Sequence, residues 1–227
     1  MSYKNINQGF DELLSKMKKK YSDSEESFEP EEIAYQTIIE SKIMGFPKRY
    51  RDASFDKYQL VGTPEQQQRQ KKLIWFLRAN KPVVMYGNNG TGKTMLAFAS
   101  IREQIEQGKS ASYVSLLDII DEVKETFGTG TSALRIIDKY VGYDYLVIDE
   151  MDKSYGSATE FLNIFRIVNG RYNAEKPTVL ITNASTDDVI EIVGRSAYER
   201  IVEDGTAVKM DWDSYRKPGN KKEASNG

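Results

Sequence analysis

The densest chemistry in this sequence lies in one run, Gly87-Asn88-Asn89-Gly90-Thr91-Gly92-Lys93-Thr94. Its spacing fits the P-loop pattern, a glycine-rich turn closed by a lysine and a hydroxyl residue. The glycines let backbone N–H groups converge on phosphate oxygens with no Cβ in the way. Lys93 then reaches the β- and γ-phosphates of a nucleoside triphosphate, and the Thr94 hydroxyl is a ligand for Mg²⁺. A helix opening through Met95 turns its positive end toward the same anion. ATP and Mg²⁺ are the cofactors this run implies.

Two acids and an amide extend the expectation. Leu146, Val147 and Ile148 run into Asp149 and Glu150, an apolar strand ending in two carboxylates. Asp149 can hold Mg²⁺ through its waters, and Glu150 can orient or deprotonate an attacking water. Adjacent acids there point to hydrolysis rather than transfer to a small-molecule acceptor. Asn183, after Leu180-Ile181-Thr182, offers an amide that can hydrogen-bond the γ-phosphate or the water.

Residues so far apart need a scaffold of alternating strands and helices, and the hydrophobic pattern supplies one. Strands are predicted at Val83 to Met85, Ser112 to Ser115, Tyr145 to Ile148, Val179 to Thr182 and Thr206 to Met210. Helices are predicted over Gln66 to Ala79, Met95 to Gln107 and Leu116 to Phe127, with a fourth whose core face carries Phe161, Ile164, Phe165 and Val168. The near-continuous apolar character of the strands fits a parallel sheet. The expected fold is a doubly wound α/β domain, five parallel strands with helices on both faces.

Composition narrows the chemistry further. The 227 residues contain no Cys and no His, which removes disulfides, zinc sites of the usual kind, thiol nucleophiles and imidazole acid–base catalysis. With 39% hydrophobic and 29% charged residues the profile is that of a soluble globular protein. Apolar runs such as Leu73 to Leu77 are far too short to span a membrane, and no secretory signal follows Met1, so the expectation is cytoplasmic. Lysine and arginine number 32 against 34 acids, so any nucleic-acid contact must be local.

Residues 1–47 read as a separate helical arm. Phe10, Leu13, Leu14 and Met17 form one amphipathic turn set, Asp23 to Glu32 an acidic tether, and Ile33, Ile38, Ile39 and Ile43 a second helix closed by Gly45 and Pro47. Such an arm either docks on a partner as a helix in a groove or folds loosely onto the main domain, 48–216. Residues 217–227, with Lys217, Lys221 and Lys222, read as a disordered basic tail.

Taken together, these motifs resemble the AAA+ ATPases of the DnaC/IstB-like family, over roughly Phe55 to Arg216. The shared features are Ala53-Ser54-Phe55-Asp56-Lys57-Tyr58, the P-loop, the strand ending at Asp149 and Glu150, Asn169-Gly170-Arg171-Tyr172, Thr182-Asn183, Tyr198-Glu199-Arg200 and Asp211-Trp212-Asp213-Ser214-Tyr215-Arg216. The last run resembles the DnaC branch more than the IstB branch, and a phage or plasmid version of a helicase loader is the implied type. By this resemblance Phe55 and Tyr58 lie near the adenine and Arg216 senses the nucleotide of its own subunit. Arg200 is a finger reaching a neighbour's ATP, with Arg195 and Arg171 as competitors. The resemblance also implies head-to-tail assembly into an open spiral and binding to a hexameric, DnaB-type helicase. It further implies single-stranded DNA binding, with Tyr113, Lys124 and Lys139 as candidate contacts and Leu117, Ile120, Val123 and Phe127 as core. No separate C-terminal lid is expected after Arg216. An IstB-like transposition helper, or an adaptor gated by ATP with little turnover, are the alternatives.

Overall fold

The structure is a computed structural model that describes residues 38–130, 132–153, 157–185 and 188–216. The first expected helix around Phe10 to Met17, the acidic tether, Ile33 and the lysines of 217–227 lie outside the described residues. The chain divides into two units, Met1–Asp52 and Ala53–Gly227. In the first, residues 38–44 are helical, with Ile39 and Ile43 buried and Ile38 exposed. A 3₁₀ turn follows at Lys48–Tyr50.

Among the described residues the second unit holds five strands: β1 Val83–Gly87, β2 Ala111–Ser115, β3 Tyr145–Asp149, β4 Thr178–Ile181 and β5 Thr206–Met210. They pair in the order β2-β3-β4-β1-β5, every neighbour parallel. β3 and β4 are buried at every residue, as strands covered on both faces must be. The helices of this unit are α1 Pro64–Arg78, α2 Lys93–Glu106, α3 Leu116–Glu125, α4 Ala133–Gly142, α5 Ala158–Asn173, α6 Val189–Val193 and α7 Arg195–Asp204.

Alternation along the strands divides the core. Val84, Leu146, Ile148 and Leu180 join one cluster with Leu116, Ile119, Ile137, Ile164, Val189 and Ile201 of α3 to α7. The intervening Val83, Met85, Tyr145, Val147 and Val179 are wholly buried on the other face, covered by α1 and α2. Local sequence fixes the helix starts. Thr63 and Gln66 make a capping box ahead of Pro64, and Ser115 and Asp118 make another for α3.

Three differences from the sequence reading stand out. Helix α4 was not foreseen. On α5 the buried face is Asn163, Ile164, Ile167, Val168 and Arg171, while Phe161 and Phe165 are only half-buried. On α3, Ile120 and Val123 are core, but Phe127 beyond its end is 65% exposed.

Arg171 explains how α4 is held. Wholly buried, it donates to the carbonyls of Tyr140, Val141, Tyr143 and Pro177 and to Thr178 Oγ1. Its guanidinium thus satisfies the open carbonyls at the C-terminal end of α4 and ties them to the start of β4. Burial lowers its pKa to about 10, against the opposing pull of Asp144 and Tyr145.

Candidate nucleotide site

The C-terminal ends of β1, β3 and β4 are neighbours, and each delivers part of one site. β1 leads into the glycine-rich loop, which returns as α2. Gly92 caps that helix at φ +93° with no side-chain bond, so the first-turn N–H groups face outward without a capping oxygen. Gly87 stands at φ +111°, where a Cβ would come within 2.8 Å of the Met210 carbonyl oxygen, and Asn88 N–H donates to that oxygen at 2.9 Å.

Lys93 is 6% exposed and curls back, its Nζ donating to the carbonyls of Gly87 and Asn88 at 2.7 Å each. Burial pulls its pKa down to about 8. Asp149 and Asp152 oppose that, and Arg216 adds to it. Thr94 Oγ1 donates to Asp149 Oδ2 at 3.3 Å, so the hydroxyl and the carboxylate converge on one point. An all-oxygen pair beside a phosphate cradle is the donor chemistry that suits Mg²⁺, which keeps most of its waters. Among the described residues no group of three or more acids gathers as a cage of its own.

Glu150 follows with φ +59°, an uncommon conformation for a residue with a Cβ. Its N–H donates to Asp149 Oδ1 at 2.6 Å, and its side chain is exposed at the strand end. A 3₁₀ turn, Met151–Lys153, comes next. Asp152 in this turn accepts from Thr182 Oγ1 at 3.2 Å and from Asn183 N–H at 2.9 Å. Burial works to raise its pKa, but those hydrogen bonds outweigh it and hold the carboxyl below the usual range. The turn after β3 and the loop after β4 are therefore tied together by one carboxylate that the sequence reading missed.

The run 211–216, expected to bring Arg216 to the nucleotide, also packs over the loop through Trp212 and Tyr215, which was not expected. Asp211 is anchored to α1 by Gln66 and Arg69. Trp212, wholly buried, donates from Nε1 to the Thr91 carbonyl at 3.0 Å, the same oxygen that Tyr58 OH reaches at 3.1 Å. Tyr215 N–H donates to Gly90 O, its hydroxyl to Gln59 O, and its ring meets Tyr58 edge-on at 5.5 Å. Lys57, Tyr58, Gln59, Gly92, Met95 and Tyr215 line a cavity of about 290 Å³ beside the loop, more apolar than polar and walled by two aromatic rings. Burial pushes the Tyr58 phenol far up, so it stays protonated. Phe55 is buried but its ring lies under the Arg78 guanidinium at 5.1 Å, and the cavity does not include it. Arg216 is exposed, with Cδ 3.6 Å from where a Gly90 Cβ would be.

A model of the IstB-like ATP binding protein family matches residues 35–224. The chain belongs to that family. Within it, the chain is similar to the replicative helicase loader DnaC of Escherichia coli K12, 33% identical over 135 residues, 59% of this chain and 55% of that one. It therefore spans about half the length of that relative. The crystal structure of the DnaC helicase loader superposes with a TM-score of 0.61 at 23% identity, covering 73% of this chain and all of that one. AMPPCP-bound DnaA from Aquifex aeolicus gives 0.59 at 22%, covering 74% and 52%. These structural likenesses establish the AAA+ P-loop fold.

On this IstB-like frame the arginine candidates separate. Arg171 is spent inside the core. Arg195 is exposed, 3.8 Å from Glu199. Arg200 lies over the rings of Phe165 and Tyr172 at 5.1 and 5.7 Å and donates to Ser196 O, on the α5 and α7 side of the domain. The DNA candidates are also redirected. Tyr113 OH donates to Asp149 Oδ2 at 2.6 Å, Lys139 pairs with Glu122 at 2.7 Å, and Lys124 with Asp121 at 3.7 Å. The cleft that Tyr113 and Lys139 share presents Asp118, Asp121, Glu122 and Glu125. Four carboxylates there repel a phosphate backbone. Among the described residues no helix is long and apolar enough to cross a membrane.

Proposed function

We propose that this chain is a Mg²⁺-dependent, cytoplasmic ATPase that assembles head-to-tail, engages a hexameric DnaB-type helicase and single-stranded DNA, and hydrolyses ATP to release them. The observation that carries the ATPase reading is the meeting of Lys93, Thr94, Asp149, Glu150 and Asn183 at three adjacent strand ends. Likeness to the named helicase loader supports the choice of partner.

In this reading the loop N–H groups and Lys93 bind the phosphates, the base enters the cavity between Tyr58 and Tyr215, and Thr94 and Asp149 hold the metal. Magnesium, when bound, neutralises charge developing on the phosphoryl oxygens. Glu150 takes the proton of the attacking water, and Asn183, held by Asp152, orients it. Arg200, with Arg195 as competitor, completes the site of the next subunit; a trans arginine of this kind contributes about 10³–10⁵ in rate. Glu150→Gln should retain ATP binding while turnover falls roughly 10²–10⁴-fold. Used with ATP as bait in native-host lysate, that variant should recover a hexameric replicative helicase, and a chain without residues 1–45 should not. Recovery of a transposase alone moves the chain to the transposition branch, and undiminished turnover in Glu150→Gln refutes the hydrolytic role.

A further inference from the structure

Tyr113 stands one strand away from the metal-binding pair and is not accounted for by any step above. It lies on β2, in register with Val147 of β3, so its side chain emerges beside the end of the strand that carries Asp149. Its ring is stacked on Phe98 of α2, centroids 4.6 Å apart and planes 27° from parallel. Phe98 is itself buried in the core, so the phenol is aimed by a rigid support. Its hydroxyl donates at 2.6 Å to Asp149 Oδ2, the oxygen that Thr94 also approaches, while Glu150 N–H holds Oδ1. The carboxylate is 6% exposed and is clamped from both sides. A carboxylate that binds a metal through water is only as well placed as the groups that stop it rotating.

We infer that Tyr113 is a positioning residue for the metal site, fixing the plane of the Asp149 carboxylate so that Oδ2 is presented together with the Thr94 hydroxyl. This rests on the reading of Asp149 as the Mg²⁺ carboxylate. In this role the residue acts through Asp149, the carboxylate its hydroxyl holds.

Tyr113→Phe removes the hydroxyl and keeps the ring on Phe98. The test is the binding of a fluorescent, non-hydrolysable ATP analogue to the full chain, first in EDTA and then at rising Mg²⁺. The expected result is unchanged binding in EDTA and about a tenfold higher Mg²⁺ concentration for half of the metal-dependent gain, the lower end of what outer-shell substitutions cost. Tyr140→Phe, which removes an equivalent phenol–carboxylate bond to Glu122 at 2.9 Å, should leave the Mg²⁺ midpoint alone. A midpoint within twofold of wild type overturns the inference, as does an equal loss of binding with and without Mg²⁺, which is the signature of a merely structural role. If the wild-type chain shows no metal-dependent gain, the reading of Asp149 fails and takes this inference with it, and the wild-type curve alone identifies that case.

Discussion

Lys93 makes ATP affinity depend on pH in a window that ordinary lysines leave untouched. In the free protein its pKa is lowered to about 8, chiefly by burial and further by Arg216, while Asp149 and Asp152 resist the change. About nine-tenths of Lys93 is then protonated at pH 7 and about one-tenth at pH 9. Bound phosphates favour the ammonium and raise its pKa in the complex, so binding at pH 9 must first return the missing proton. The apparent affinity for ATP should fall about tenfold between pH 7 and pH 9, or about 1.4 kcal/mol. Other side chains leave the window nearly clear, because the chain has no His and no Cys and the shifted tyrosines all move upward, while the terminal amine titrates alike in wild type and in a Lys93 variant. Fluorescence anisotropy of a labelled ATP analogue at fixed Mg²⁺, from pH 6.5 to 9.5, measures the slope. Lys93→Arg keeps its charge across that range and should flatten it. A flat wild-type profile, or the same slope in Lys93→Arg, refutes the reasoning. The ligand-free protein should show the converse in stability. Its folded pKa lies below the unfolded value, so the cost of burying the charge is present below pH 8 and is relieved as pH rises from about 8 to above 10.

Three further outcomes follow from the same geometry. Arg171→Met leaves four carbonyls and a hydroxyl without their donor and should cost about 3–5 kcal/mol, lowering Tm by about 6–20 °C; a variant as stable as wild type in thermal and urea unfolding would contradict the structural role. Gly87→Ala forces a Cβ onto φ +111° and into the Met210 carbonyl, so it should strain the cradle by about 1–3 kcal/mol and weaken ATP binding about 5- to 150-fold in the same anisotropy assay. Arg200→Ala and Glu150→Gln should each be nearly inactive alone, yet recover ATPase activity when mixed, because mixed assemblies pair an intact Glu150 with an intact Arg200; a mixture that stays inactive counts against action in trans.

Much of this site was legible in the sequence because its residues are contiguous or sit at strand ends. The P-loop, Asp149, Glu150 and Asn183 each follow a short apolar run, and burial on both faces makes such runs unbroken. What escaped was set by partners distant in sequence. Arg171 reads as a competitor for the finger role, since nothing local announces that the carbonyls of another helix end will receive it. Tyr113 reads as an aromatic available for stacking until Asp149 is brought to it from the next strand. Asp152 gives no signal beyond being a third acid, and its partners come from beyond β4. Helix α4 went unread although its periodicity is as clear as that of its neighbours, with Ile137 and Tyr140 buried on one face and Leu134 exposed. Spacing alone places Phe165 in the core, whereas its half-buried ring lies under the Arg200 guanidinium.

The return of residues 211–216 over the phosphate loop has a consequence for the order in which the molecule is made. The loop leaves the ribosome early, but the tryptophan that holds Thr91, the tyrosine that walls the base cavity and the strand carrying Met210 are synthesised roughly 120 residues later, on the order of ten seconds at ordinary elongation rates. During that interval the glycine turn has no backing and no complete cavity. A chain that ends before residue 210 therefore carries the whole P-loop sequence but lacks the backing of that loop and one wall of the cavity beside it.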